Sequence, residues 1–235
     1  MQGHGYQAAL PNSGFDVLLS YGVKMECFAS PLNSRYARFC SAFPDTDGPF
    51  GSVGSFFQFR PEAGAYEANP PFVPEVMEAM VGHMEVLLAA ADSAEPPRAL
   101  SFAVIVPNWE DVGAIKELKA SGWRRAGFVV GANAHQFCDG AQHQRPTAER
   151  FRPSSFDTLV AVLQSREAAR ARPFDAAAEE ALRQAMVAAE GITGGLSLQE
   201  WERHNRRRTI PARAGRRGGK SSATSGTEGG GGGGG

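Results

Sequence analysis

Residues 69 to 72, Asn69-Pro70-Pro71-Phe72, bring together a carboxamide, two consecutive prolines and an aromatic ring. Such a set suits the activation of a planar amine. The exocyclic amine of adenine is a poor nucleophile, because its lone pair is delocalised into the ring. Two oxygen acceptors, the Asn69 carboxamide and a Pro70 carbonyl held by the restricted φ of Pro70-Pro71, would take the two N–H groups and draw that lone pair back onto nitrogen. Phe72 would stack on the base and fix its plane. The same four residues also fit a turn without chemistry, since Pro-Pro marks ordinary loops and a residue before proline is pushed into extended backbone.

Elements on either side must hold this turn in place. Gly64 to Ala68 leads into it, and beyond it Val76, Met77, Met80, Val81, Met84, Leu87 and Leu88 recur at helical spacing, predicting a packed helix from about Pro74 to Ala91. Upstream, Val23 to Ala29 reads as a strand and Ser30-Pro31-Leu32-Asn33 as the loop at its carboxyl end, with Asn33 capping a helix that runs to about Ala42. Phe43 to Gly54 is rich in Pro, Asp and Gly and reads as loop, and Ser55 to Phe59 as a short strand. Downstream, Leu100 to Val106 is a buried strand ending at Pro107-Asn108-Trp109, followed by a helix from Glu110 to Ser121 stopped by Gly122. Trp123 to Val130, with His135 to Cys138 as a partner, and Phe156 to Gln164 are expected to close the sheet as antiparallel strands. Asp175 caps a helix to Glu190 stopped by Gly191, and Ser197 with Glu200 forms a capping box for a last helix. This alternation predicts an α/β fold, in which ligands gather outside the carboxyl ends of the strands. His83 lies beside the methionine stripe and reads as a boundary histidine.

Several blocks then occur in one order: Glu26 to Asn33, Phe39 to Gly48, Phe50-Gly51-Ser52, and Glu67 to Phe72. They continue through Glu78 to Val81, Leu100-Ser101-Phe102, Pro107-Asn108-Trp109, His135 and Gln142-His143. Over residues 5 to 165 the chain resembles the phosphorylated-CTD-interacting-factor family, whose animal member is a cap-specific adenosine N6-methyltransferase. The resemblance implies a Rossmann-like sheet flanked by helices and S-adenosylmethionine as methyl donor. It further implies N6 methylation of adenine in RNA, at 2′-O-methyladenosine next to the messenger cap, in the nucleus. Ser30 and Asn33 would hydrogen-bond the donor, with the backbone of Phe28 and Ala29 bordering it; the Phe28 ring itself reads as core. Asp45 and Asp47 would face a ribose hydroxyl or the cationic end of the donor, and as turn-forming residues they also have a bland reading. Trp109, Asn133 and His135 would contact or position the substrate. His135 need not act as a base, because the methylated amine is acidic enough to lose its proton to water.

Animal members of the family carry a WW module and a helical region ahead of the catalytic core, whereas this chain begins almost at the core. Binding to the phosphorylated RNA polymerase II tail is therefore implied by family alone, with no residue here to carry it. Two other readings stay open: a catalytically inactive nucleic-acid-binding module, and a protein methyltransferase acting on glutamine amide.

The 235 residues, 42% hydrophobic, can bury one sizeable core. The organisation expected is a methyltransferase core over 1–170, C-terminal helices over 171–208, and a disordered tail, basic then Gly-rich, over 209–235. Three cysteines, Cys27, Cys40 and Cys138, show neither pairing nor metal spacing, which points to a reducing compartment and no metal. No run approaches membrane-spanning length. The net charge of −1 conceals an asymmetry: eight Lys/Arg between Arg203 and Lys220 share that stretch with no acid, so the rest of the chain is acidic. Such an arm suits phosphate contact or nuclear import, and equally a solvated helix end.

Overall fold

The computed structural model describes residues 8–139 and 151–187. Chain order is β1 (Ala8–Ala9), α1 (Asn12–Ser20), β2 (Val23–Glu26), β3 (Arg38–Phe39), α2 (Pro44–Asp47), β4 (Gly64–Ala68), α3 (Pro74–Ser93), β5 (Leu100–Pro107), α4 (Gly113–Ala120), β6 (Arg124–Val130), β7 (Gln136–Asp139), β8 (Phe151–Pro153), β9 (Thr158–Gln164), α5 (Arg166–Ala171) and α6 (Ala176–Val187). The main sheet has the order β3-β2-β4-β5-β9-β6. Strands β3, β2, β4 and β5 run parallel, and β9 is antiparallel to both β5 and β6. The expected α/β, Rossmann-like architecture is therefore present.

Strand β5 shows why both faces are covered. Leu100, Phe102, Val104 and Val106 point into one apolar cluster with Met77, Met80, Met84 and Leu88 of α3. Ala103 and Ile105 point into the other, with Phe15 and Leu18 of α1 and Leu182 and Met186 of α6. The period of two thus feeds two cores, and each large side chain buried there contributes about 1.5–3 kcal/mol. Helix α6 begins at a cap, the Asp175 carboxylate accepting the Ala178 N–H at 2.9 Å, as expected. Its further extent to Glu190 and Gly191, the Ser197 to Glu200 box, Gln142-His143, the basic arm and the glycine tail lie outside the described residues. Among the described residues no helix is long and apolar enough to cross a membrane.

Several local expectations are corrected. Asn33 does not cap a helix to Ala42. Its Oδ1 accepts the Ser30 N–H at 2.7 Å, closing a turn, and Glu26 Oε2 accepts the N–H groups of Arg35 and Tyr36 at 2.9 and 2.8 Å. Those donors are thereby taken, and Arg38–Phe39 pairs with β2 instead. The segment 43–54 is not all loop, since Pro44–Asp47 is helical and Gly48–Phe50 a 3₁₀ turn. Gly51, at φ +113°, lets the chain pass the Ala37 carbonyl, where a Cβ would collide. Ser55 to Phe59 is a 3₁₀ turn rather than a strand, because the Ser55 side chain accepts the Phe57 N–H and Phe56 packs inward against Phe102. Residues 136–139 do not join β6. They pair with β1 and β8 in a separate three-stranded sheet. Elements β1, α1, β8 and α5 had no counterpart among the expectations.

The buried Ser165 joins β5 to α5. Its Oγ accepts the N–H of Leu100 and of Ala168 at 3.0 and 3.2 Å and donates to the Arg98 carbonyl at 2.7 Å. Ser165→Ala strands all three groups, so we expect a loss of about 1–3 kcal/mol, read as a lower urea midpoint with an unchanged slope.

Candidate active site

The carboxyl ends of β2, β4, β5 and β6 and the amino end of β9 lie along one edge, as the pairings Pro107 with Thr158 and Val130 with Thr158 require. A cavity of about 1010 Å³ opens there. Ligand pockets commonly run to about 300–1,000 Å³, so this one sits at the roomy end. One wall is Phe28, Ala29, Ser30 and Asn33 after β2; another is Asn69, Pro70, Pro71 and Phe72 after β4. The two segments expected to meet are thus brought together.

The Asn69 amide has a defined orientation. Its Nδ2 donates to the Ala8 carbonyl at 2.8 Å, and because a carbonyl only accepts, the assignment of nitrogen and oxygen follows. Its Oδ1 is buried with no hydrogen-bond partner among the described residues. An unsatisfied buried acceptor is costly, and here it lines a cavity. Pro70 is buried and Pro71 exposed. The Pro71 carbonyl accepts the Val73 N–H at 2.8 Å, and Val73 then precedes α3, whose first residue Pro74 has its φ already set.

Phe72 belongs to an aromatic corner. Phe156 stands 5.4 Å away at 86°, Phe137 6.5 Å away at 61° and Trp109 6.5 Å away at 79°. Phe137 and Phe156 line the cavity, whereas Trp109 does not and reaches it only through the rings of Phe72 and Phe156. On the opposite side Phe28 packs against Phe56 at 5.0 Å and Phe57 at 5.9 Å, so its ring serves the core as well as the wall.

Four other expected site residues are not part of this wall. Asp45 is exposed on α2, and Asp47 is buried with the Thr46 hydroxyl on its carboxylate at 3.3 Å. Asn133 is exposed at φ 60°, its N–H donating to the Ser154 carbonyl at 2.7 Å. His135 is 1% exposed. Its Nδ1 must donate to the Gly131 carbonyl at 3.1 Å, leaving Nε2 to accept the Thr158 hydroxyl at 2.8 Å. Both ring nitrogens are occupied, and burial holds the imidazole below its ordinary pKa, so it is neutral.

Sequence reasoning passed over the residues immediately before the two site loops. Glu26 and Glu67, 3% and 2% exposed, sit opposite each other on neighbouring parallel strands. Burial, and then the charge of Glu26, push Glu67 well above the ordinary carboxyl range. Two thiols also line the cavity. Burial pushes Cys27 well up, and Cys40 to about 12, so both stay protonated. The signal for all four was their position at, or one residue from, the carboxyl ends of β2, β3 and β4. Among the described residues no cluster of three or more His, Cys, Asp or Glu could hold a metal.

A carboxyl whose folded pKa is raised favours folding below the ordinary Glu value of 4.5 and loses that contribution as pH rises through the folded value. Glu67→Gln keeps the neutral shape without the proton. We therefore expect the variant to lose less thermal midpoint than the parent between pH 5 and 8, with roughly 2–4 °C per kcal/mol recovered. Parallel melting curves for the two proteins would show that Glu67 is already charged in the fold.

The family described as "Phosphorylated CTD interacting factor 1 WW domain" matches residues 1–140. In this chain the matched stretch contains α1, the parallel strands β2 to β5 and the Asn69 turn. Two curated proteins are similar over 167 residues, 70% of this chain: the mRNA (2'-O-methyladenosine-N(6)-)-methyltransferases of Mus musculus, 43% identical, and Homo sapiens, 41% identical. The chain spans 23% of the length of each.

Proposed function

The chain belongs to the phosphorylated-CTD-interacting-factor family, and from that premise we propose that it is an S-adenosylmethionine-dependent methyltransferase acting on the N6 amine of adenine in RNA. The observation that carries this reading is the buried, unpartnered Oδ1 of Asn69 on the cavity wall. An amine N–H is the group such an oxygen lacks. The Pro70 carbonyl takes the second N–H, since that of Pro71 is engaged by Val73. With both hydrogens held by these two oxygens, lone-pair density is drawn back onto the nitrogen and becomes available to the donor. Phe72 supports the ring face, and its aromatic neighbours suit a flat heterocycle better than the aliphatic stem of a glutamine.

The residues along β2 fit the methyl donor. The cavity has room for a donor beside the base, and the Ser30 to Asn33 turn and the face of Phe28 border it where a nucleoside is held in open α/β sheets. When bound, S-adenosylmethionine supplies a sulfonium methyl, and the protein contributes alignment and polarisation. Protonated Cys27 and Cys40 matter in that setting, because a thiolate would compete with the amine for the methyl. A base can enter this corner only when unstacked, at a strand end or in a single strand. That condition suits the first transcribed nucleotide, and 2′-O-methyladenosine beside the messenger cap is the substrate we infer from the relatives. The arginines between 203 and 217 suit phosphate contact and nuclear import, and we place the protein in the nucleus.

Mass spectrometry of nucleosides from capped RNA, internal RNA and DNA incubated with labelled donor tests the substrate: label in N6-methylated adenosine from RNA is the expected outcome, and label confined to protein would overturn it. Asn69→Ala should lower turnover by about 10²–10³ while calorimetry finds donor affinity kept. Unchanged turnover would remove Asn69 from the chemistry.

A further inference from the structure

We propose that Phe156 is a substrate-contacting residue, a second aromatic wall for the target base, and that His135 acts through it as a positioning residue. This rests on the base-binding reading above and adds to it a residue from the other side of the fold. Phe72, after β4, and Phe156, before β9, line the same cavity with their rings perpendicular at 86° and 5.4 Å apart. A base stacked on one flat ring is held along the normal and remains free to slide within its plane, because stacking has little in-plane direction. A second ring at right angles stops the slide. The stop is needed, since a misplacement of about 1 Å can cost about a hundredfold in rate. It is also selective: a polar substituent pressed against Phe156 would lose its water without gaining a partner.

Phe156 is held by a hydrogen-bonded frame. The Ser154 Oγ donates to the Phe156 carbonyl at 2.8 Å and accepts the Phe156 N–H at 3.4 Å. The Ser154 N–H donates to the His135 carbonyl at 3.0 Å, and the Ser154 carbonyl accepts from Asn133 at 2.7 Å. His135 is locked between Gly131 and Thr158 and stacks edge-on against Phe137, the ring that flanks Phe156 at 6.3 Å. The histidine thus governs where the 153–156 segment stands and does not itself reach the cavity.

The test uses the full chain with Phe156→Ala, Phe156→Leu, His135→Asn and the double variant His135→Asn/Phe156→Ala. Three readouts are taken: binding of an adenine-containing oligonucleotide by anisotropy, methyl-transfer kinetics, and S-adenosylmethionine affinity by calorimetry. Phe156→Ala should weaken oligonucleotide binding and kcat/KM by about tenfold with donor affinity unchanged, and Phe156→Leu, which keeps bulk without a ring, by less. The double variant should be no worse in kcat/KM than Phe156→Ala alone, because His135 acts only through that ring. Multiplied losses would put His135 on the substrate and overturn its role here. Wild-type oligonucleotide binding in Phe156→Ala, or an equal loss of donor affinity, would overturn the wall. A parent protein that binds the oligonucleotide, with the expected Phe156 dependence, but methylates no adenine would overturn the proposed activity and leave the wall standing. A parent that binds no adenine oligonucleotide would overturn both.

Discussion

One hydrogen bond sets what the Asn69 turn presents to its cavity, that from the Asn69 amide nitrogen to the Ala8 carbonyl. A carboxamide can turn either end to a ligand, and only the oxygen end can receive an amine. By engaging the nitrogen, β1 decides the matter before any substrate arrives. Strand β1 is in turn held by β7, which pairs with β8, and the chain from β8 onward carries Phe156. The small sheet is therefore a brace across the mouth of the large one, tying the Asn69 turn to the opposite aromatic wall. Preorganisation of this kind lowers the reorganisation that binding at the turn would require.

The two faces of the main sheet divide their labour. The side carrying α3 and α4 is apolar throughout the middle of β4 and β5, whereas at the ends of β2 and β4 the other side buries Glu26 and Glu67 beneath Tyr36, whose hydroxyl donates to the Phe15 carbonyl. Glu26 spends one oxygen on two backbone N–H groups of the 35–36 segment and so closes the donor-side loop back onto its own strand. Burial, and then the neighbouring carboxyl of Glu26, raise the pKa of Glu67. Polar burial and site geometry thus have a single origin at this corner.

Long, strongly periodic elements were legible in the amino-acid sequence. The methionine stripe placed α3, the β-branched run placed β5, and Gly122 ended the α4 segment near its true stop. Both site loops were legible as well, because strand ends adjoin them. What escaped reading depends on partners far along the chain. Asn33 looked like a cap until Glu26 took the amides of residues 35 and 36, and Ser55 to Phe59 looked extended until Phe56 found its place on Phe102. His135 carried the right type for a polar contact, yet its environment is set by Gly131 and Thr158. Phe156 gave no local sign, since an aromatic before a strand is ordinary until the fold sets it beside Phe72.

The core that joins α1 to α6 has a bearing on how the chain is made. Phe15 and Leu18 share their cluster with Leu182 and Met186, and the Ser13 hydroxyl donates to the Ala185 carbonyl at 2.9 Å. Helix α1 is thus roofed by α6, the last helix among the described residues. During translation, the apolar flank around Phe15 stays open until α6 has left the ribosomal tunnel, a long exposure of the kind that calls on chaperones. Nascent chains halted before Ala176 would carry the finished Asn69 turn on a half-covered sheet.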